Sequence, residues 1–256
     1  MIGLLIIIVI IAAVIISRLS RKKHIQEYRL PSETSRILEQ NIAFYRKLDK
    51  DGKMRFETRV KDFLAHVNVR GVETEITDTD KLLVASGAII PIFAFPDWRY
   101  NNIAEVLLYN DTFNMDYSTE GSERNVLGMV GDGAMHRNMI LSLPALRTSF
   151  HNAHDGYNTA VHEFVHLIDK ADGATDGVPE YLLPEQGIQL WVRMIHQMIK
   201  EMRTGGDKDI NSYGATNDAE FFAVVSEYFF ERPDKLKEHH PGLYVMLEKM
   251  FNPVHT

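Results

Sequence analysis

The sequence predicts an α+β fold: a small mixed sheet, then a helical C-terminal lobe, with one apolar helix ahead of both. Three observations carry that expectation. Strand-like runs fall at residues 72–76, 104–109 and 137–143, whereas the stretches after residue 158 repeat apolar residues every three or four positions. The run Val161-His162-Glu163-Phe164-Val165-His166-Leu167-Ile168-Asp169 sets a His-Glu-x-x-His pattern on one of those helical stretches. Met1 to Ile16 is almost wholly aliphatic.

With 256 residues, 45% hydrophobic and 25% charged, the chain can bury a core of one or two lobes. A net charge of -7 argues against direct nucleic-acid binding, which needs a basic face. The chain has no cysteine, which excludes disulfides, thiolate zinc sites and cysteine nucleophiles together.

Residues 1–17 read as an uncleaved membrane anchor, extended by Ser17, Leu19 and a snorkelling Arg18 towards the roughly 20 residues a bilayer needs. A cleaved signal peptide would have a basic segment before the apolar run and a small-x-small site after it, and neither is present. Arg18, Arg21, Lys22, Lys23 and His24 then form a basic juxtamembrane linker to about residue 30. By the positive-inside rule the N-terminus faces out, and the rest is a cytoplasmic domain on the inner (plasma) membrane.

The globular domain, residues 31–256, is expected to comprise an α/β lobe to about residue 150 and a helical lobe after it. Pro31-Ser32-Glu33-Thr34 starts a helix, with Ser32 or Thr34 as N-cap, running through Ile37, Leu38, Ile42, Tyr45 and Leu48 until Lys50-Asp51-Gly52-Lys53 breaks it. Phe56, Val60, Phe63 and Leu64 mark a second helix. Val72 to Ile76 alternates like a strand, and Thr79-Asp80 caps a buried helix from Leu82 to Phe95, ended by Pro91 and Pro96. Residues 104–109 form a core strand, 114–132 a loop or hairpin, and 137–143 another strand closed by Pro144. Residues 139–143 could be a sheet edge that pairs with an extended substrate. Asn158 or Thr159 caps the motif helix, which ends near Asp169-Lys170. Helices at 185–203, 218–231 and 243–251 follow, with Pro233 stopping the second of them.

On a helix, His162 and His166 lie one turn apart on one face and can hold one zinc ion, the zincin arrangement. Glu163 can then reach a water in an open zinc position. A third ligand has three candidates. Asp172 sits at a spacing some short-motif peptidases use, but these have glycine where this chain has Asp169. Glu220 and Glu227 share a face of the later helix, and spacing does not choose between them. A structural zinc site fits poorly, since such sites close with four protein ligands, often cysteines.

The motif run, together with Asp155-Gly156-Tyr157-Asn158, Asp172-Gly173 and the block from Tyr213-Gly214-Ala215-Thr216-Asn217-Asp218 through Ala219-Glu220-Phe221-Phe222-Ala223 to Ser226-Glu227-Tyr228, resembles the Mlc titration factor A family of zinc peptidases. That family is similar in its core to the lethal factor catalytic domain. The resemblance implies a zincin-like metallopeptidase of HExxH-plus-Glu type, with Glu220 as third zinc ligand and Tyr213 assisting the transition state. Glu163 is then the general base, and Glu227, Asp169 and Asp172 are candidate orienting acceptors for the histidines. The implied partner is a peptide or protein substrate. Because the family is named for sequestering a transcriptional repressor, the alternative is a non-proteolytic module that binds such a regulator at the membrane.

Overall fold

The computed structural model describes residues 28–113, 126–131, 137–152, 155–207 and 209–252. Its helices are α1 (Thr34–Asn41), α2 (Ala43–Arg46), α3 (Lys50–His66), α4 (Asp78–Ile92), α5 (Leu143–His151), α6 (Thr159–Asp169), α7 (Glu185–Arg203), α8 (Asp218–Glu231), α9 (Pro233–His239) and α10 (Pro241–Phe251). Its strands are β1 (Asn68–Val72), β2 (Glu105–Tyr109), β3 (Gly128–Val130) and β4 (Asn138–Ser142). The strands make a mixed α+β sheet in the order β1-β2-β4-β3, parallel across β1, β2 and β4 and antiparallel at β3.

Local chemistry sets several boundaries away from the sequence expectation. Lys50-Asp51-Gly52 opens a helix where a break was expected, because the Asp49 side chain accepts from the Gly52 N–H at 2.7 Å and caps α3. Neither Ser32 nor Thr34 caps α1; its N-cap position is Glu33. The cap of α4 is Thr77, in a reciprocal capping box with Asp80, and Pro91 sits inside its last turn. The first strand lies at 68–72 rather than 72–76, in register with β2 from Asn68↔Glu105 to Val72↔Tyr109. Pro144 does close β4, but it also stands in the first turn of α5, which Ser142 caps through the Ala145 N–H. Strand β4 is an inner strand, so the expected edge at 139–143 is corrected; beside it the sheet ends on β3.

The sheet and helices share one continuous core. Val106, Leu108, Met139 and Leu141 face the helices, and the alternate residues Leu107 and Ile140 pack with Phe113 in a small cluster on the other side. Helix α4 is buried along nearly its whole length and forms the floor under α6. The contact is close: a Cβ on Gly87 would lie 2.6 Å from Ala160 Cβ. The bidentate Arg147–Asp80 pair, at 2.7 and 2.9 Å, ties α5 to the start of α4.

The membrane placement is also corrected. Among the described residues no helix is long and apolar enough to cross a membrane. The apolar α4 has 15 residues, about 22 Å of helix against a hydrocarbon core of about 30 Å. The anchor expected at 1–17 and the basic cluster at 18–24 lie outside the described residues, and single-pass localisation in the inner membrane does not stand.

Candidate metal centre

Two helices build the site. Helix α6 starts where the Asn158 side chain accepts from the Val161 N–H at 3.1 Å, and its buried face of Val161, Phe164, Val165 and Ile168 turns His162 and His166 towards α8. Helix α8 begins in the same way, with Asn217 accepting from the Glu220 N–H at 2.9 Å. Glu220 therefore stands in its first turn, and Glu227 lies two turns further along the same face.

The donor atoms converge. His162 Nε2 lies 3.0 Å from Glu220 Oε2 and 3.1 Å from His166 Nε2, and His166 Nε2 is 3.4 Å from the same carboxylate oxygen. A single proton can bridge one of these pairs, not all three. A tetrahedral zinc with bonds of about 2.0–2.1 Å holds neighbouring donors about 3.3 Å apart, so two imidazoles and one carboxylate at this spacing fit such an ion. All three side chains keep some exposure, 12%, 12% and 18%. Among the described residues this is the one group of three or more metal-capable side chains.

The surrounding shell fixes the first imidazole. His162 Nδ1 is 2.6 Å from Glu227 Oε1, so its N–H donates there and its Nε2 lone pair is left for a ligand. Glu227 is held in turn by the Asn158 N–H, and the Asn158 amide donates to Glu231 at 3.1 Å. His166 is treated differently: its Nδ1 is buried without a hydrogen-bond partner. Asp169 makes no hydrogen bond to it: Oδ2 accepts from the Gly177 N–H at 2.8 Å and Oδ1 is unpartnered, and burial pushes the Asp169 carboxyl up to about 7. Asp172 stays in its own loop, accepting from the Ala174 and Glu180 N–H groups, and is neither a ligand nor an orienting acceptor in this arrangement.

Glu163 is 6% exposed beside the cluster. Burial raises its carboxyl above the usual range, against the pull of His162 and His166. Tyr213 belongs to a short 3-10 turn, Ser212–Ala215, pinned by Asn211 and by Arg203 bonds to the Ala215 and Thr216 carbonyls at 2.9 and 3.0 Å. Its ring is half exposed, with its centroid 6.1 Å from that of His162. Gly128 on β3 was not singled out in the sequence: a Cβ there would meet Glu163 Oε1 at 2.6 Å. Nothing in the local pattern at residues 126–130 signals that approach.

The family model described as "Glucose-regulated metallo-peptidase M90" matches residues 16–252. An uncharacterised protein of Synechocystis is 29% identical over 243 residues, 90% of this chain and 87% of the relative. The Mlc titration factor A of Pectobacterium atrosepticum is 27% identical over 194 residues, 70% of each chain, and that of Edwardsiella ictaluri is 25% identical over 194 residues, 70% of this chain and 71% of the relative. A family match over nearly the whole length, joined to a His-His-Glu cluster able to hold an ion, places this chain in the glucose-regulated metallo-peptidase M90 family.

Proposed function

We propose that the chain is a zincin-like, zinc-dependent peptidase, a reading carried by the convergence of His162, His166 and Glu220 beside the buried carboxylate of Glu163. A zinc ion held by these three side chains would supply the positive charge that acidifies a water and polarises the scissile carbonyl. Glu163 takes a proton from the attacking water and hands it to the leaving amine. The Tyr213 phenol, whose pKa is raised by burial and then by Glu220 and Glu163, stays protonated and donates a hydrogen bond to the developing oxyanion. Glu227 keeps His162 in the tautomer that presents Nε2.

Strand β3 supports an extended peptide as substrate. Leu127 and Gly131 bond to β4, so by antiparallel alternation Gly128 and Val130 turn their N–H and C=O groups away from β4, where among the described residues no further strand pairs with 128–130, on the strand that abuts Glu163.

Metal content and peptide hydrolysis of the parent and of Glu163→Gln test the reading. One zinc in both, with the rate falling about 10²–10⁴-fold in the variant, is the expected result. A zinc-loaded parent that cleaves no member of a broad peptide library overturns it. The second reading, a module that binds a transcriptional regulator without cleaving it, draws on the name carried by the two titration-factor relatives. Regulator binding by Glu163→Gln with no cleavage by the parent would favour it.

A further inference from the structure

We infer that Gly128 is a positioning residue: the missing side chain on the edge strand is the space in which the Glu163 carboxylate sits. This rests on the peptidase reading for its consequence, but not for its geometry. A Cβ built on Gly128 lies 2.6 Å from both Glu163 Cγ and Oε1 and 2.9 Å from Cδ. Real carbon atoms do not approach that closely, so Cγ, Cδ and Oε1 of Glu163 lie against the bare main chain of β3. The Gly128 backbone is not in the left-handed region that favours glycine, so conformation does not require glycine here; clearance does.

Which side yields decides the effect. Strand β3 is fastened to β4, with Leu127 O accepting from Ser142 N at 2.8 Å and Gly131 N donating to Asn138 O at 2.9 Å. The motif helix is fastened by its cap and its buried face. The free torsions of the Glu163 side chain are the soft coordinate. A methyl group at residue 128 therefore moves the carboxylate, not the strand or the helix, and the fold tolerates it. The three atoms nearest to the added Cβ all belong to Glu163, so the base leaves its place before His162, His166 or Glu220 is disturbed. Position 128 thus sets where the carboxylate can stand relative to an attacking water, and only glycine leaves it where it is.

The test uses the full chain and Gly128→Ala. The expected result is a melting temperature and zinc content equal to the parent, a kcat lower by about tenfold or more with KM little changed, and a crystal structure with the Glu163 carboxylate displaced from strand β3. In a Glu163→Ala background the same substitution should leave the residual rate untouched, since no carboxylate remains to be moved; a general disturbance of the cleft would still lower it. An unmoved carboxylate in the Gly128→Ala crystal, or an unchanged kcat, overturns the inference. If the parent itself cleaves no peptide, the peptidase reading fails, and the displacement in the crystal still decides the role of Gly128.

Discussion

Glu227 and Glu231 occupy successive turns of α8 and meet the same residue, Asn158, yet only Glu227 also bonds a metal-site histidine. Glu227 holds the His162 N–H, and a lost acceptor of this kind costs about 10–100-fold in metal affinity. Chelator competition on Glu227→Ala should show that loss while the protein stays folded; parent-like affinity would remove Glu227 from the site. Glu231 is instead a buried carboxyl whose pKa burial lifts from 4.5 to about 8, over the opposing bonds from Asn158 and Gly156. A raised folded-state value means that the stability it contributes is full below about 4.5 and is lost as pH rises through about 8. Glu231→Gln keeps the neutral form at every pH. Its melting temperature should therefore overtake that of the parent between pH 5 and pH 9, and melting curves that stay parallel across that range would contradict the assignment.

Among the elements, the two site helices and the long helix between them were the most legible. Helices α6, α7 and α8 combine apolar residues at three- and four-residue spacing with a clear start or stop, and Asn158 caps where an Asn-Thr pair preceded the motif. Two of the misplaced boundaries share a cause, which is a residue with two local meanings. Gly52 reads as a breaker but lies in a first turn under the Asp49 cap, and Pro144 reads as a stop but opens α5. Strand β1 is half exposed at the sheet edge, so its apolar pattern is weaker than that of the residues after it. The Gly128–Glu163 approach and the Asp169–Gly177 bond are tertiary and leave no periodic trace.

Gly177 illustrates such a hidden constraint at the scale of elements. It lies in the loop between α6 and α7 with φ 77°, its N–H donates to Asp169, its carbonyl accepts from the Trp191 indole at 2.7 Å, and a Cβ would lie 2.2 Å from the Asp218 carbonyl oxygen. That neighbour is main chain at the start of α8 and cannot swing aside. Gly173, with φ 108° and nothing near its missing Cβ, has only the conformational cost. Gly177→Ala should thus lose about 2 kcal/mol or more and Gly173→Ala about 1 kcal/mol in urea unfolding. Equal losses would mean that the packing of Gly177 on α8 is unimportant.

Over the whole molecule, one hydrophobic cluster reaches from Leu38 on α1 to Phe251 on α10, and polar fastenings hold the connecting loops to it. Asp209, between α7 and α8, is bonded by Lys235, Tyr228 and His239. Burial alone would raise its carboxyl; those three groups prevail and bring it from 3.8 to about 2. A depressed value contributes stability that is present above about 3.8 and lost as pH falls through about 2. Acid titration of the parent should show that added loss, and Asp209→Asn should lack it. If both lose stability identically in acid, the loop is not fastened through that carboxylate.

The strand order carries a kinetic consequence. Strand β2 lies between β1 and β4, both parallel to it and both remote from it in sequence, so its amides are sealed on two sides by pairings that form only when the chain has come together. In native-state hydrogen exchange, β2 should be among the last segments to take up deuterium, at the rate of global opening, and the outward amides of Gly128 and Val130 among the first. The molecule would then be slowest to breathe at the middle of its sheet, and the early exchange on β3 would report bare outward amides on a strand that stays fastened to β4.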